Sequence, residues 1–119
     1  MIFTLLLSSL KRALDREREL SGTDVLTGIR NARSFREVLG AEIERSKRFQ
    51  RPFTVAYLDL DRFKTVNDCH GHEHGDELLR LVGNTILTGI RKTDTVARLG
   101  GDEFALLLPE TEYEAAGAV

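Results

Sequence analysis

The chain opens on apolar residues spaced as a helix spaces them. Phe3, Leu7, Leu10 and Leu14 recur at intervals of 4, 3 and 4, an a/d seam about two heptads long. Residues 1 to about 20 are therefore predicted to be helical, with Lys11, Arg12, Asp15, Arg16, Glu17, Arg18 and Glu19 as a charged exterior. Two readings fit so short a seam: a helix packed on its own domain, or the end of a parallel coiled coil arriving from an upstream sensor. Ser21-Gly22-Thr23-Asp24 breaks the helix, and Thr27-Gly28 continues the turn. A second helix follows, capped by Asn31 or Ser34, with Ser34 and Glu37 in capping-box register. Phe35, Val38, Leu39 and Ile43 give it an apolar face, and Arg51-Pro52 ends it.

Residues 53–59 are apolar on both faces, which predicts a central strand covered on each side and ending on Asp59. The polar, glycine-containing stretch 67–75 reads as a loop. A further helix is predicted from about 76 to 90, with Leu78, Leu79, Val82, Ile86 and Ile90 as its buried stripe. Residues 95–99 and 104–108 read as two strands joined across Gly100-Gly101-Asp102-Glu103, a hairpin. Thr111 and Glu114 resemble another capping box, so a helix begins where the chain stops. The order implies an α/β (α+β sandwich) domain, a central sheet flanked by helices, over residues 21–119, preceded by a helical linker over residues 1–20.

Composition narrows the function classes. The 119 residues support one domain, and 41% hydrophobic with 30% charged residues is ordinary for a globular protein. A net charge of −2 supplies no basic excess to displace counterions, so no nucleic-acid partner is expected. A small anionic ligand held by local donors is compatible with it. Cys69 is the single cysteine, which excludes an intrachain disulfide and a Cys/His zinc spacing, and favours a cytoplasmic setting. Residues 1–10 are apolar but well short of the ~20 needed to span a bilayer. A remnant of a membrane helix, placing the domain at the inner face of a membrane, is the second reading of that segment.

The acids carry the chemistry. Asp59 ends a strand, while Asp102 and Glu103 sit at a hairpin tip. If the hairpin neighbours the Asp59 strand, these carboxylates converge and repel one another unless a cation lies between them. A hard ion such as Mg²⁺, completed by water and substrate phosphates, answers that repulsion and points to phosphoryl or nucleotidyl chemistry. Taken singly, each acid reads equally well as a strand-end or turn residue. Gly100-Gly101 permits positive φ at the tip, which a plain turn would also require.

Arg98-Leu-Gly-Gly-Asp-Glu-Phe104 resembles the signature of the GGDEF diguanylate cyclase family. Four other segments match at the family's relative spacing: Asp24-Val-Leu-Thr-Gly-Ile-Arg-Asn31, Asp59-Leu-Asp-Arg-Phe-Lys-Thr-Val-Asn-Asp68, Gly71-His72-Glu73-His74-Gly75-Asp76 and Arg91-Lys92-Thr93-Asp94. The resemblance implies a nucleotidyl-cyclase-like fold with the signature on its hairpin. It implies that Asp59 and Asp102 ligate Mg²⁺ (or Mn²⁺) with the Leu60 carbonyl, and that Glu103 completes the catalytic acids. Asn67 and Asp76 would read guanine, whose ring N–H and exocyclic amine a carboxylate can accept. Lys64 would meet the triphosphate beside the backbone N–H groups of Arg62 and Phe63. The implied reaction condenses two GTP into cyclic di-GMP and two pyrophosphates, in a homodimer with one GTP per domain.

Arg91 and Asp94 match the family's inhibitory product site for cyclic di-GMP, although an i,i+3 surface ion pair reads the same letters. His70, His72 and His74 follow one another at i,i+2 in what reads as a glycine-rich loop, a poor chelating geometry, and are expected to hold no metal. The resemblance places His72 in a structural turn, and Cys69 reads as a passive loop residue. Family domains continue through the helix that begins near Thr111 into a further strand, a hairpin and a last helix, so the chain is expected to be a C-terminally truncated domain. A catalytically inactive GTP-binding or dimerisation module is the alternative function. A purine nucleotide cyclase or polymerase-palm relative is more distant, and Asn67 and Asp76 speak against it.

Overall fold

The computed structural model of the chain describes residues 2–116, without the side chains of residues 18–20 and 116. In chain order the elements are α1 (Ile2–Leu20), α2 (Ala32–Phe49), β1 (Phe53–Asp59), α3 (Phe63–His70), α4 (His72–Gly89), β2 (Thr95–Gly100), β3 (Glu103–Pro109) and α5 (Tyr113–Ala116). The strands form one antiparallel sheet in the order β1-β3-β2.

Alternation along β3 builds both halves of the core. Phe104 and Leu106 join Ile29, Leu79 and Val96 with Phe63, Val82 and Ile86 on the α4 side. Ala105 and Leu107 join Phe35, Ala97, Val38 and Leu39 on the α2 side. The strand buried on both faces is therefore β3, not residues 53–59. β1 is an edge strand, and Val55, Tyr57 and Leu58 are 43%, 59% and 38% exposed. A run of apolar residues reports that a strand can be covered; it does not report which strand the hairpin places in the middle. β2 occupies one edge of β3, so β1 pairs with the other.

The stretch expected as a loop is mostly helix. α3 runs to His70, and α4 begins at His72 rather than near Asp76. Asn, Asp, Cys and His are weak helix formers, which hides α3 from a propensity reading. Packing of Phe63 against the core overrides that weakness. Gly71, at φ +86°, separates the two helices in a conformation that favours glycine. Its N–H donates to the Asn67 carbonyl at 2.9 Å, and the Gly75 N–H donates to the Gly71 carbonyl at 3.2 Å.

Helix caps also differ in detail from the sequence reading. Asn31 caps α2, its Oδ1 accepting from the Ser34 N–H at 3.0 Å. Ser34 lies inside the helix, buried, and its hydroxyl accepts from Arg30 Nη1 at 2.7 Å. Thr111 does not cap α5, which starts two residues later; its buried hydroxyl donates to the Pro109 carbonyl at 3.0 Å and accepts from Arg91 at 2.8 Å. In α1, Phe3, Leu7, Leu10 and Leu14 are 73%, 51%, 56% and 42% exposed. The seam is thus not packed on the chain's own domain.

Candidate functional site

The strand register delivers the acids. Asp59, last residue of β1, pairs with Glu103, first residue of β3. The Leu60 N–H donates to the Asp102 carbonyl at 3.1 Å, tying the chain beyond β1 to the hairpin tip. The tip turns through Gly101 at φ +46°, after a register shift between Arg98 and Gly100. A cleft of about 510 Å³ opens here, lined by Asp59, Leu60, Asp61, Arg62, Phe63, Lys64 and Asp102. The convergence reasoned from the sequence is the geometry observed.

Crowding sets the electrostatics. Asp102 beside Asp59 is the largest influence holding the Asp59 carboxyl above the usual carboxylate range; desolvation and the charges of Glu103 and Asp61 add to it. Among the described residues no Lys, Arg or His makes an ion pair with Asp59, Asp102 or Glu103. No three His, Cys, Asp or Glu side chains among them gather as a ready-made metal cage. The donor set fits a hard cation that takes two carboxylates and finds its other ligands in carbonyl, water and phosphate oxygens.

The two residues expected to read guanine lie on α3 and α4. Asn67 is half-buried, and its Oδ1 is a buried polar atom with no hydrogen-bond partner among the described residues. Gly75 is buried against it: a Cβ there would collide with Asn67 Oδ1 and come within 3.3 Å of the Phe63 ring. Asp76 is half-buried and lines a second cleft of about 570 Å³, together with Leu26, Arg80 and Arg98. A buried carbonyl oxygen left unpaired costs roughly 1–3 kcal/mol, so an orphan in a native fold asks for a ligand group.

The sequence and the structure now compare directly with known proteins. The model of the family described as diguanylate cyclase, GGDEF domain, matches residues 21–119. The chain belongs to the GGDEF family. It is 39% identical over 102 residues to the diguanylate cyclase DgcP of Pseudomonas aeruginosa, covering 86% of this chain and 15% of that protein. It is 39% identical over 107 residues to the cyclic di-GMP phosphodiesterase NbdA of the same organism, covering 90% of this chain and 14% of that one. The chain thus spans about one seventh of the length of these curated relatives. The crystal structure of the P. aeruginosa diguanylate cyclase SiaD, solved with its activator SiaC, superposes with a TM-score of 0.80 at 40% identity, over 98% of this chain and 44% of that one.

Two features of this GGDEF domain involve residues to which the sequence alone gave no role in the site. Tyr57 lies beside Glu103, and that neighbour foremost, with desolvation and the charges of Asp59 and Asp102, raises the phenol above its usual range. Tyr57 stands two residues before Asp59 on the same face of β1, so strand alternation was the signal that would have found it. Asp24 is the second feature. Its Oδ2 accepts from the Thr27 N–H at 2.9 Å and hydroxyl at 2.7 Å, and its carboxylate pairs with Arg98 Nη1 at 3.2 Å. Arg98 Nε in turn donates to the Gly101 carbonyl at 2.9 Å, so the opening motif braces the signature hairpin. The Asp24–Thr27 spacing reads as a side-chain turn; the partner 74 positions away is visible only in three dimensions.

Arg91 and Asp94 meet. Arg91 donates to Asp94 from its backbone N–H at 2.9 Å and through Nε and Nη2, and Nη2 also reaches the Pro109 carbonyl at 3.1 Å. The Asp94 side chain is fully buried, while that of Arg91 is 52% exposed. The ion pair of the structural reading is formed, and it carries the β2 approach against the end of β3.

Proposed function

We propose that this GGDEF domain condenses two GTP into cyclic di-GMP with release of two pyrophosphates, as one half of a homodimer. The observation that carries this is the Asp59–Asp102 pair: two mutually repelling carboxylates with no ion-paired cation among the described residues, opening on the cleft that Lys64 lines. Asp59 and Asp102 would hold Mg²⁺ or Mn²⁺ with the Leu60 carbonyl. When bound, such an ion neutralises charge on the phosphates and acidifies a nearby hydroxyl.

This chain's own residues do the rest. Lys64 meets the triphosphate as a compact charge, beside the first N–H groups of α3 at Arg62 and Phe63, which have no intrahelical partners. Asn67 and Asp76 donate to and accept from the guanine edge; adenine has neither the N1–H nor the 2-amino group from which the Asp76 carboxylate would accept, and leaves that carboxylate unpaired. Glu103, beside Tyr57, completes the acid set around the 3′-hydroxyl that attacks the α-phosphorus of the second nucleotide. One domain holds one GTP, so two must face each other, and the exposed α1 seam supplies a surface for that pairing and for an upstream sensor. Arg91 and Asp94 would take the product cyclic di-GMP as feedback inhibitor. Among the described residues no helix is long and apolar enough to cross a membrane, and a supply of GTP places the reaction in the cytoplasm.

A second reading is a GTP-binding or dimerisation module without turnover. The exposed apolar edge of β1, against the catalytic end of the sheet, favours it. Incubating the purified chain with GTP and Mg²⁺ separates the two. Cyclic di-GMP and pyrophosphate, abolished by Asp59→Ala, establish the cyclase. A GTP-dependent rise in Tm without product establishes the module. Neither product nor a rise in Tm sinks both.

A further inference from the structure

The α3–α4 joint carries three imidazoles, those of His70, His72 and His74, that the proposed reaction does not use. His70 is the last residue of α3 and His74 lies in the first turn of α4. As loop residues their spacing would have been unhelpful, but as the flanks of a glycine joint they come together. Their ring centroids are 6.0 Å apart with the planes inclined at 44°. Both residues are exposed, and among the described residues neither ring makes a hydrogen bond or an ion pair, so their nitrogens are open to a ligand.

Two imidazoles sharing one tetrahedral ion, with metal–nitrogen bonds of about 2.0–2.1 Å, hold their ring centres roughly 5 Å apart. Side-chain rotation of two exposed residues closes the remaining gap of about 1 Å without moving the backbone. Imidazole prefers Zn²⁺, Cu²⁺ or Ni²⁺, whereas the carboxylates of Asp59 and Asp102 suit Mg²⁺, so the two sites select different ions.

We propose that His70 and His74 form a two-histidine site for a late first-row divalent ion, with water completing its coordination. Such an ion would bridge α3 to α4 across Gly71. Asn67 lies one turn before His70, and Asp76 lies two residues after His74, so the bridge would fix the spacing between them. The site goes beyond the cyclase reading and does not rest on it.

Calorimetric titration of the full chain with Zn²⁺, in excess Mg²⁺ to occupy the carboxylates, tests it. One Zn²⁺ per chain is expected, with a rise in Tm on binding. His70→Gln and His74→Gln should each weaken Zn²⁺ binding by about tenfold or more, since each removes one of two protein ligands. Their metal-free Tm should match that of the unsubstituted chain, as both residues are exposed. Asp59→Asn should leave the Zn²⁺ affinity unchanged. Absence of Zn²⁺ binding, retention of affinity in either histidine variant, or its loss in Asp59→Asn would overturn the proposal.

Discussion

Asp59 holds its proton more tightly than an isolated carboxyl because Asp102 lies beside it, with Glu103 and Asp61 adding to the crowding. A folded-state pKa above the unfolded one means that folding favours the protonated form. The resulting cost is absent well below the ordinary carboxylate range. It develops as pH rises through the raised value and is complete above it. Asp59→Asn is therefore expected to raise Tm at neutral pH, with the gain disappearing in acid. Adding Mg²⁺ at neutral pH should raise the Tm of the parent chain and leave that of Asp59→Asn nearly unchanged. Thermal melts across pH, with and without Mg²⁺, check both outcomes. Asp94 is a buried acid paired by Arg91. Asp94→Ala strands the Arg91 N–H and releases the ties to Pro109 and Thr111, so Tm should fall by about 5–10 °C. If Tm holds, the pair is not a structural contact and only a ligand-binding role remains for it.

At the scale of elements, the joint between α3 and α4 matters most. Gly75 lets α4 approach α3 closely enough to bury Asn67 Oδ1 beside the Phe63 ring. Gly75→Ala forces the helices apart or turns Asn67 out of place, at a cost of about 1–3 kcal/mol by the usual penalty of overpacking. GTP-dependent stabilisation should be lost in the same variant. Denaturant unfolding, followed by melts with GTP, separates these effects; an unchanged midpoint would show that the helices have slack. The sequence concealed this joint because His, Asn, Asp and Gly at 67–75 carry no apolar period. The hairpin was legible, since two apolar runs separated by Gly-Gly-Asp-Glu have few other solutions. That β3 rather than β1 is central was not, because both runs are apolar and only pairing orders them.

Over the whole molecule, α1 stands clear of the body. Every described side chain of it except Ser8 is exposed, and the molecule extends 58 × 33 × 18 Å. An apolar seam left in water is a surface for association. Sedimentation of the full chain is expected to show a concentration-dependent dimer, and the double substitution Leu7→Glu with Leu10→Glu should return it to monomer without altering its sheet signal. If the double variant sediments as the parent does, α1 is not the dimer contact. The exposed apolar edge of β1 is a second sticky surface. Aggregation that survives the α1 substitutions is expected to come from that edge.

The sequence by itself determined the family, the hairpin, the amphipathic helices and the identity of the acids. These rest on local spacing, turn chemistry and ordered motifs, which need no partner from afar. Tertiary structure alone decided the rest. It put Asp59 opposite Glu103 through strand register, joined Asp24 to Arg98 across the chain, and left Asn67 Oδ1 without a partner among the described residues. It also turned an apparent loop into two helices whose joint brings His70 to His74. The physical reason is common to all four. Each depends on which distant surfaces meet, and that is settled by burial of the whole core rather than by any one segment.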